Sequence, residues 1–368
     1  MKIVISGGGT GGHIYPALTI ANYIKELEPE AEITFVGTRL GLEKDIVHRY
    51  GYPLEFITVA GFERHLGLGT LKSAMKLLVG LQDAARLLDK LKPDLVIGTG
   101  GYVCGPILFR AARKGLPTCI QEQNAMPGVT NKILARFVQK IFLGYAEGAK
   151  YFQGKAQKIY TGNPVRKEVL QADRNEGLAK FALDPEKKTI LAFGGSRGAR
   201  SINKAMALVE QKLAGRQDVQ ILHATGALDY QQHVKQLGEQ VIQADNIKVV
   251  PYIHEMPLAL AAADIAVSRA GAIGLAELMV KGIPSILIPY PYATANHQEF
   301  NARALEAAGA AAVIVDKALN GEVLFNKINT MLESADNLSK MHQAAMAASK
   351  PQAAENIAKE ALSLVRKN

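Results

Sequence analysis

The sequence predicts an α/β protein made of two parallel-sheet domains in tandem. Three observations predict it. Strand-like and helix-like stretches alternate along the whole chain, as they do where crossover helices join parallel strands. The length of 368 residues exceeds what one ordinary core serves. The third is an internal echo: TILAFGGSRGAR (Thr189–Arg200) lies over KIVISGGGTGGH (Lys2–His13). Gly194, Gly195 and Gly198 then fall on Gly7, Gly8 and Gly11, and Arg200 falls on His13. Each half opens strand, glycine turn, helix, which is the opening of a Rossmann-like domain.

In the first half, strands are expected at Lys2–Ser6, Ile33–Val36, Leu95–Gly98, Thr118–Gln121, Ile141–Gly144 and Lys158–Thr161, with helices such as Pro16–Leu27 and Thr70–Leu91 between them. Gly162-Asn163-Pro164 then punctuates the chain. In the second half, strands are expected at Thr189–Phe193, Val219–His223, Lys248–Pro251, Ile265–Ser268, Ser285–Ile288 and Ala312–Val315. Residues 335–368 read as helix with no further strand. The expected domains are therefore residues 1–163 and 164–344, with a tail of about 345–368 crossing back to complete the first.

Composition is that of a globular protein, with 48% hydrophobic and 21% charged residues. No apolar run approaches the ~20 residues of a membrane helix, and MKIVIS reads as a strand, so no signal peptide is expected. Two cysteines, Cys104 and Cys119, make no disulfide framework, so a reducing compartment is expected. The net charge of +9 is uneven. Residues 1–163 carry 20 Lys+Arg against 13 Asp+Glu, and residues 164–368 carry 23 against 21. A basic first half seeks nucleic acid, anionic lipid or a phosphorylated ligand. No nucleic-acid motif accompanies it, so nucleic acid is not an expected partner.

Gly7, Gly9 and Gly12 satisfy the dinucleotide pattern G-x-G-x-x-G, but the acidic residue it requires is missing. The second strand ends Phe35-Val36-Gly37-Thr38, without a carboxylate. What remains is a turn that lets backbone N–H groups approach an anion. Gly98-Thr99-Gly100-Gly101-Tyr102 is a second such turn, and the two together suit a diphosphate. His13, at a helix start beside them, is placed to act as a base or to contact phosphate. In the second half, Gly194-Gly195-Ser196-Arg197-Gly198 offers backbone donors and a hydroxyl. It also fits the hydrolase elbow G-x-S-x-G, a reading that leaves the matching loop in the other half unexplained. Ser268-Arg269-Ala270-Gly271-Ala272 opens a helix bearing Glu277, whose carboxylate suits ribose hydroxyls. Asn296-His297-Gln298-Glu299 supplies amides suited to a sugar. All three segments follow strand ends, where open α/β sheets bind ligands. No Asp-x-Asp, Walker lysine loop or metal-spaced Cys/His cluster occurs.

GGGTGGHIYPAL, FVGTRLGLE, GTGGYVCGP, QEQNAMPGVTNK, TGNPVR, FGGSRGAR, SRAGAIGLAEL and NHQEFNA occur in this order over residues 1 to about 310. With them the chain resembles the MurG family, bacterial transferases that move N-acetylglucosamine from UDP-GlcNAc to lipid I, giving lipid II for peptidoglycan. The resemblance implies the GT-B fold, two Rossmann-like domains facing a cleft, the first for lipid I and the membrane and the second for UDP-GlcNAc. It implies donor contacts at Thr10, Gly11, Gly12, Asn124 and Arg166. In the second domain it implies Ser196 on the donor diphosphate and the Ile253 backbone on uracil. Ala272, Ile273, Gly274, Leu275, Ala276 and Glu277 would hold the nucleotide, with Glu277 on the ribose, and Gln298 and His297 would face the sugar. Gly9, Gly100, Gly101 and Tyr102 would take the acceptor diphosphate. His13 is the implied catalytic base, with Glu122 the alternative. No metal or other cofactor is implied. Implied partners are lipid I in an anionic membrane and the cell-wall and division machinery; the implied location is peripheral, on the cytoplasmic face of the inner membrane. Competing readings are another GT-B transferase, a UDP-sugar epimerase and an inactive nucleotide-sugar binding module.

The stretch Gly61–Leu81 mixes Arg64, Lys72 and Lys76 with Phe62, Leu66, Leu68, Leu77 and Val79, as an interfacial patch does. Leu71, Ala74, Leu78, Leu81, Ala85 and Leu88 form one helical stripe, expected to face the core.

Overall fold

A computed structural model describes residues 1–39, 41–59, 68–195 and 198–366, those of 68–76 by their backbone. The chain divides into two units: Met1–Val165 with Lys350–Asn368, and Arg166–Ser349. The return to the first unit starts at Lys350 rather than near residue 345. The helix Ala335–Ala348 stays with the second unit because Met341 packs into its core and His342 Nδ1 bonds Gly282 O at 2.6 Å.

Among the described residues the first unit holds seven strands: β1 Lys2–Gly7, β2 Glu32–Gly37, β3 Leu54–Phe56, β4 Leu95–Gly100, β5 Thr118–Glu122, β6 Lys140–Leu143 and β7 Gln157–Tyr160. Their order is β3-β2-β1-β4-β5-β6-β7, with every pair parallel. The edge strand β3 was not expected from the sequence; it is three residues long and half-buried on both sides, too short to show a period. The second unit holds β8 Lys188–Phe193, β9 Val219–Ala224, β10 Ile247–Val250, β11 Ile265–Ser268, β12 Ser285–Leu287 and β13 Ala311–Val313. Their order is β10-β9-β8-β11-β12-β13, again all parallel. In both sheets the winding direction reverses beside the first strand, between β1 and β4 and between β8 and β11. These reversals are where open parallel sheets bind ligands.

The strands read as unbroken apolar runs because helices cover both faces. In β1 the side chains alternate between two cores. Ile3 and Ile5 join Ile14 and Ile20 of the helix Gly11–Leu27, while Val4 joins Leu88 and Ile107 on the other face. That helix starts at Gly11, ahead of the expected Pro16, and takes the proline inside. A proline there forfeits one helical bond close to the open end of the helix, where the hydrogen-bond ladder is least complete.

The helix Leu68–Leu91 bears out part of the expected stripe. Leu88 is buried, with Ala84 and Leu87 beside it, and Leu81 and Ala85 are half-buried, but Leu78 is 63% exposed. The reason is Gly80, whose missing side chain lets the helix touch the preceding segment: a Cβ there would stand 2.6 Å from Thr58 O. The side chains of Leu71 and Ala74 lie outside the described residues.

The C-terminal helix Ala353–Arg366 completes the first core, with Ile357, Ala358, Ala361 and Leu362 packed against the helix Gly11–Leu27 and β1. Lys140, in β6, locks it by donating to Glu360 O and Ser363 Oγ, both at 2.8 Å, and Arg366 pairs with Glu28. Burial of Ile357 and Leu362 stabilises the contact by about 1.5–3 kcal/mol each. Leu362→Ala is therefore expected to destabilise the first unit by about 2–5 kcal/mol. Denaturant unfolding followed by a probe in each unit checks this; an unshifted first-unit midpoint would contradict it.

Candidate active site

In the first unit, the segments after β1 and β4 press against each other. The Gly8 N–H donates to Gly100 O at 3.4 Å, and Thr99 Oγ1 donates to His13 O at 2.8 Å. Gly101 has φ +84°, and a Cβ on it would stand 2.3 Å from Gly8 O, so no other residue fits. Thr10 precedes the helix Gly11–Leu27 and provides no side-chain cap; its carbonyl accepts from His13 N at 3.1 Å and Ile14 N at 3.2 Å. Gly9 (φ +86°) lies under the Tyr102 ring, 3.3 Å from where its Cβ would be.

Two buried carboxylates brace the loops at this edge, Glu43 the turn after β1 and Glu122 the loop after β5. Glu43 accepts from Thr38 N at 2.8 Å, Thr38 Oγ1 at 2.9 Å and Gly9 N at 3.1 Å. A side chain on Gly41 would collide with it, its Cβ only 2.0 Å from Oε2. Glu122 accepts from Asn124 N (3.0 Å), Asn124 Nδ2 (3.1 Å), Gly128 N (3.0 Å) and Asn131 Nδ2 (2.9 Å). Both oxygens of Glu122 are occupied within the 122–131 loop. Its geometry is that of a loop anchor, at odds with the alternative-base role expected from the sequence.

His13 is oriented by a chain of amides. Gln123 Nε2 donates to Thr99 O at 2.7 Å and to Gln121, so its Oε1 is the atom that faces His13 Nδ1 at 3.0 Å. Thr99 O also faces Nδ1, at 3.1 Å. Both are acceptors, so Nδ1 carries the proton and the basic lone pair belongs to Nε2. Gln121 Nε2 in turn donates to Asn163 Oδ1 at 3.0 Å, and Asn163 Nδ2 to Gln123 O at 2.9 Å. Neither cysteine competes as a nucleophile. Burial pushes the Cys104 thiol up to about 11 and the Cys119 thiol up to about 12.

In the second unit, the turn after β8 packs on the end of β9. Gly198 has φ +75°, and a Cβ there would stand 2.1 Å from Thr225 O. Ser196 and its neighbour Arg197 lie outside the described residues. The helix Ala272–Val280 begins after Gly271, again without a side-chain cap, and carries Glu277 on a buried face. Arg166 and Glu277, far apart in sequence, meet: Arg166 Nε donates to Glu277 Oε1 at 2.8 Å. Gln298 Oε1 accepts from Ala270 N at 3.2 Å and Tyr290 N at 2.9 Å. It thereby ties together the segments after β11 and β12, and its amide nitrogen is the group left for a ligand. Ile253 is buried just after β10. Ala295 and Asn296 both have positive φ, +52° and +54°, an unusual pair of left-handed non-glycine residues leading into the helix His297–Ala307.

Sequence reasoning missed Glu43, Thr99, Gln121, Gln123 and Arg269. Arg269 donates to Ile288 O at 3.2 Å, Pro289 O at 3.3 Å, Asp316 Oδ1 at 2.5 Å and Ser201 Oγ at 2.9 Å. It gathers the segments that follow β8, β11, β12 and β13. Among the described residues, Glu210, His223 and His233 group as metal ligands do, their donor atoms within 4.8 Å of one another, but they lie in the core of the second unit.

Comparisons agree with this architecture. The glycosyltransferase family 28 N-terminal domain matches residues 3–143, and the glycosyltransferase family 28 C-terminal domain matches residues 189–357. The chain is 49% identical over 361 residues to the UDP-N-acetylglucosamine--N-acetylmuramyl-(pentapeptide) pyrophosphoryl-undecaprenol N-acetylglucosamine transferase of Thermoanaerobacter pseudethanolicus, covering 98% of each chain. The enzyme of the same name from Moorella thermoacetica is 44% identical, over 97% of each chain. The crystal structure of Acinetobacter baumannii MurG superposes with a TM-score of 0.80 at 26% identity, covering 98% of this chain and 99% of that one. A UDP-GlcNAc 2-epimerase from Neisseria meningitidis matches with a TM-score of 0.70 at 12% identity over 100% of each chain, a likeness of fold alone. The two glycine-turn units thus belong to one GT-B glycosyltransferase of family 28, and the chain is a member of the MurG family of N-acetylglucosamine transferases.

Proposed function

We propose that this protein transfers N-acetylglucosamine from UDP-GlcNAc to the C4 hydroxyl of N-acetylmuramic acid in lipid I, with inversion at the sugar C1, giving lipid II. The observation that carries the reading is the amide-held His13 beside the paired glycine turns of the first unit. In this reading the first unit takes the acceptor diphosphate at Gly9, Gly100, Gly101 and Tyr102, and the second takes the donor. His13 Nε2 removes the hydroxyl proton as the new bond to C1 forms, and UDP leaves with the electron pair of the old one. Glu122 holds the Asn124 loop in place rather than acting as base. Charge growing on the leaving diphosphate is met by the N–H groups of the glycine turn and by Arg166. Glu277, tied by one oxygen to Arg166, takes the ribose with the other.

The first unit is also the proposed membrane side. Among the described residues no helix is long and apolar enough to span a membrane, so attachment is peripheral in this reading. Most of the expected Gly61–Leu81 patch lies outside the described residues, but its far end leaves Leu78 and Val79 exposed. Val129, Ile133 and Phe137 are exposed as well, with Lys132 and Arg136 interleaved. The helix Cys104–Arg113 borders both groups, through Pro106 towards Gly80 and through Gly105 towards Thr130. Apolar side chains ringed by basic ones suit an anionic leaflet. Contact with cell-wall and division proteins is part of the same proposal and rests on the family resemblance.

Transfer of radiolabel from UDP-GlcNAc to a lipid I analogue, with UDP-galactose as the competing donor, tests the reading; no transfer from either donor would remove it. His13→Ala is expected to lower kcat by about 10²–10⁴-fold; retention of most activity would exclude His13 as base. Activity is expected to survive EDTA, and a loss restored by Mg²⁺ would refute a metal-free diphosphate site. Leu78→Asp with Ile133→Asp is expected to reduce co-sedimentation with anionic vesicles while sparing transfer to a short-chain, soluble acceptor. Binding indifferent to anionic lipid content would count against the patch.

A further inference from the structure

The core of the second unit contains three ionisable side chains that the proposed chemistry does not use. Glu210 is on the helix Arg200–Leu213, His223 on β9 and His233 on the helix Tyr230–Leu237, and all three are buried. Glu210 Oε1 lies 2.8 Å from His223 Nδ1, and Oε2 lies 2.7 Å from His233 Nε2. The two rings meet edge to face, 4.9 Å between centroids.

Hydrogen-bond partners fix the Asn203 amide. Asn203 Nδ2 donates to Thr225 O at 2.9 Å and to Asp229 Oδ2 at 3.2 Å, so the amide cannot be turned round. Its Oδ1 therefore faces His223 Nε2, at 3.2 Å. Both nitrogens of His223 face oxygen atoms, Glu210 Oε1 and Asn203 Oδ1. Burial alone would push the Glu210 carboxyl up, but His223 and His233 hold it below its ordinary value. His233 Nε2 faces the second carboxylate oxygen. Short direct N···O contacts satisfy all four of these atoms without a metal between them.

Buried ion pairs seldom stabilise a fold more than apolar packing would, so a positional role is the better account of one. The pairs here extend outward to the glycine turn. Asn203 passes to Asp229, and Asp229 Oδ1 accepts from Arg200 Nε at 3.0 Å. Arg200 opens the helix that follows the turn Gly194–Gly198. Asn203 also grips Thr225 O, the carbonyl against which Gly198 rests. One end of the chain thus fixes the helix start and the other fixes the floor of the turn.

We propose that the Glu210–His223–His233 cluster is a positioning device for the diphosphate-binding turn of the second unit, with Glu210, His223 and His233 as positioning residues rather than catalytic ones. The functional half of this inference rests on the second unit being the donor site. Glu210→Gln removes the carboxylate that bridges the two rings, and the hold of Asn203 on Thr225 O loosens. The KM for UDP-GlcNAc is then expected to rise on the order of tenfold, as for loss of a charged hydrogen bond, with the acceptor KM unchanged and kcat little altered.

The experiment pairs that KM–kcat split with Asn203→Ser, which cuts the link from the cluster to Thr225 O and leaves Glu210, His223 and His233 in place, and with metal analysis of the unmodified protein. Asn203→Ser is expected to raise the donor KM in the same sense, and it gives an answer where Glu210→Gln does not fold. A stoichiometric bound metal in the unmodified protein would overturn the directly bonded cluster. An unchanged donor KM in a folded variant would overturn the positioning role. Failure of the unmodified protein to bind UDP-GlcNAc would overturn the donor reading and, with it, the functional half.

Discussion

At the carboxyl edge of each sheet two backbones come closer than side chains allow, and the sites of both units depend on that approach. In the first unit Gly101 lies against the Gly8 carbonyl; in the second Gly198 lies against that of Thr225. Bare backbone gives an anion access to N–H groups, but it is also the softest part of a chain. Each unit stiffens it with buried acids or amides placed behind the turn. Glu43 fixes Gly9, Glu122 fixes the 122–131 loop, and Glu210 is linked through His223 and Asn203 to the carbonyl under the second turn. The charge on these acids stays inside and shapes the backbone, while the backbone faces the ligand.

This arrangement also separates the protein from dinucleotide-binding relatives in fold that share its glycine spacing. There an acid at the end of the second strand reaches outward to a ribose. Here β2 ends without one, and the next acid along, Glu43, turns inward onto Gly9 and Thr38. The carboxylate proposed for the ribose, Glu277, sits in the other unit on the helix after β11. The glycine pattern is shared, and the placement of the carboxylates distinguishes the two uses.

Much of this was legible in the residues. Apolar runs and alternation with helices located twelve of the thirteen strands among the described residues, most of them covered on both faces. The repeat of Lys2–His13 at Thr189–Arg200 located the glycine turn after the first strand of each unit. The glycines were legible because their requirement is local, a positive φ or a close approach. Glu43, Gln123 and Arg269 were not, because their partners lie on other strands' loops and nothing in the neighbouring sequence encodes that meeting. Gln298, expected from the sequence as a sugar-facing amide, spends its carbonyl oxygen on tying two loops together. On the helix Leu68–Leu91 the stripe was legible at Leu88 but not at Leu78, where the close contact is made by a glycine, Gly80, which adds nothing to an apolar stripe.

The return of the last helix to the first unit bears on how the protein is made. Residues 166–349 form an uninterrupted unit that can close its own core as soon as it is synthesised. The first sheet emerges earlier, but its face at Ile3, Ile14 and Leu18 stays uncovered until Ile357 and Leu362 arrive. Synthesis order and completion order are therefore reversed. On the ribosome, the unit begun first matures last, with an open apolar face that must avoid other partners until the chain's final helix docks.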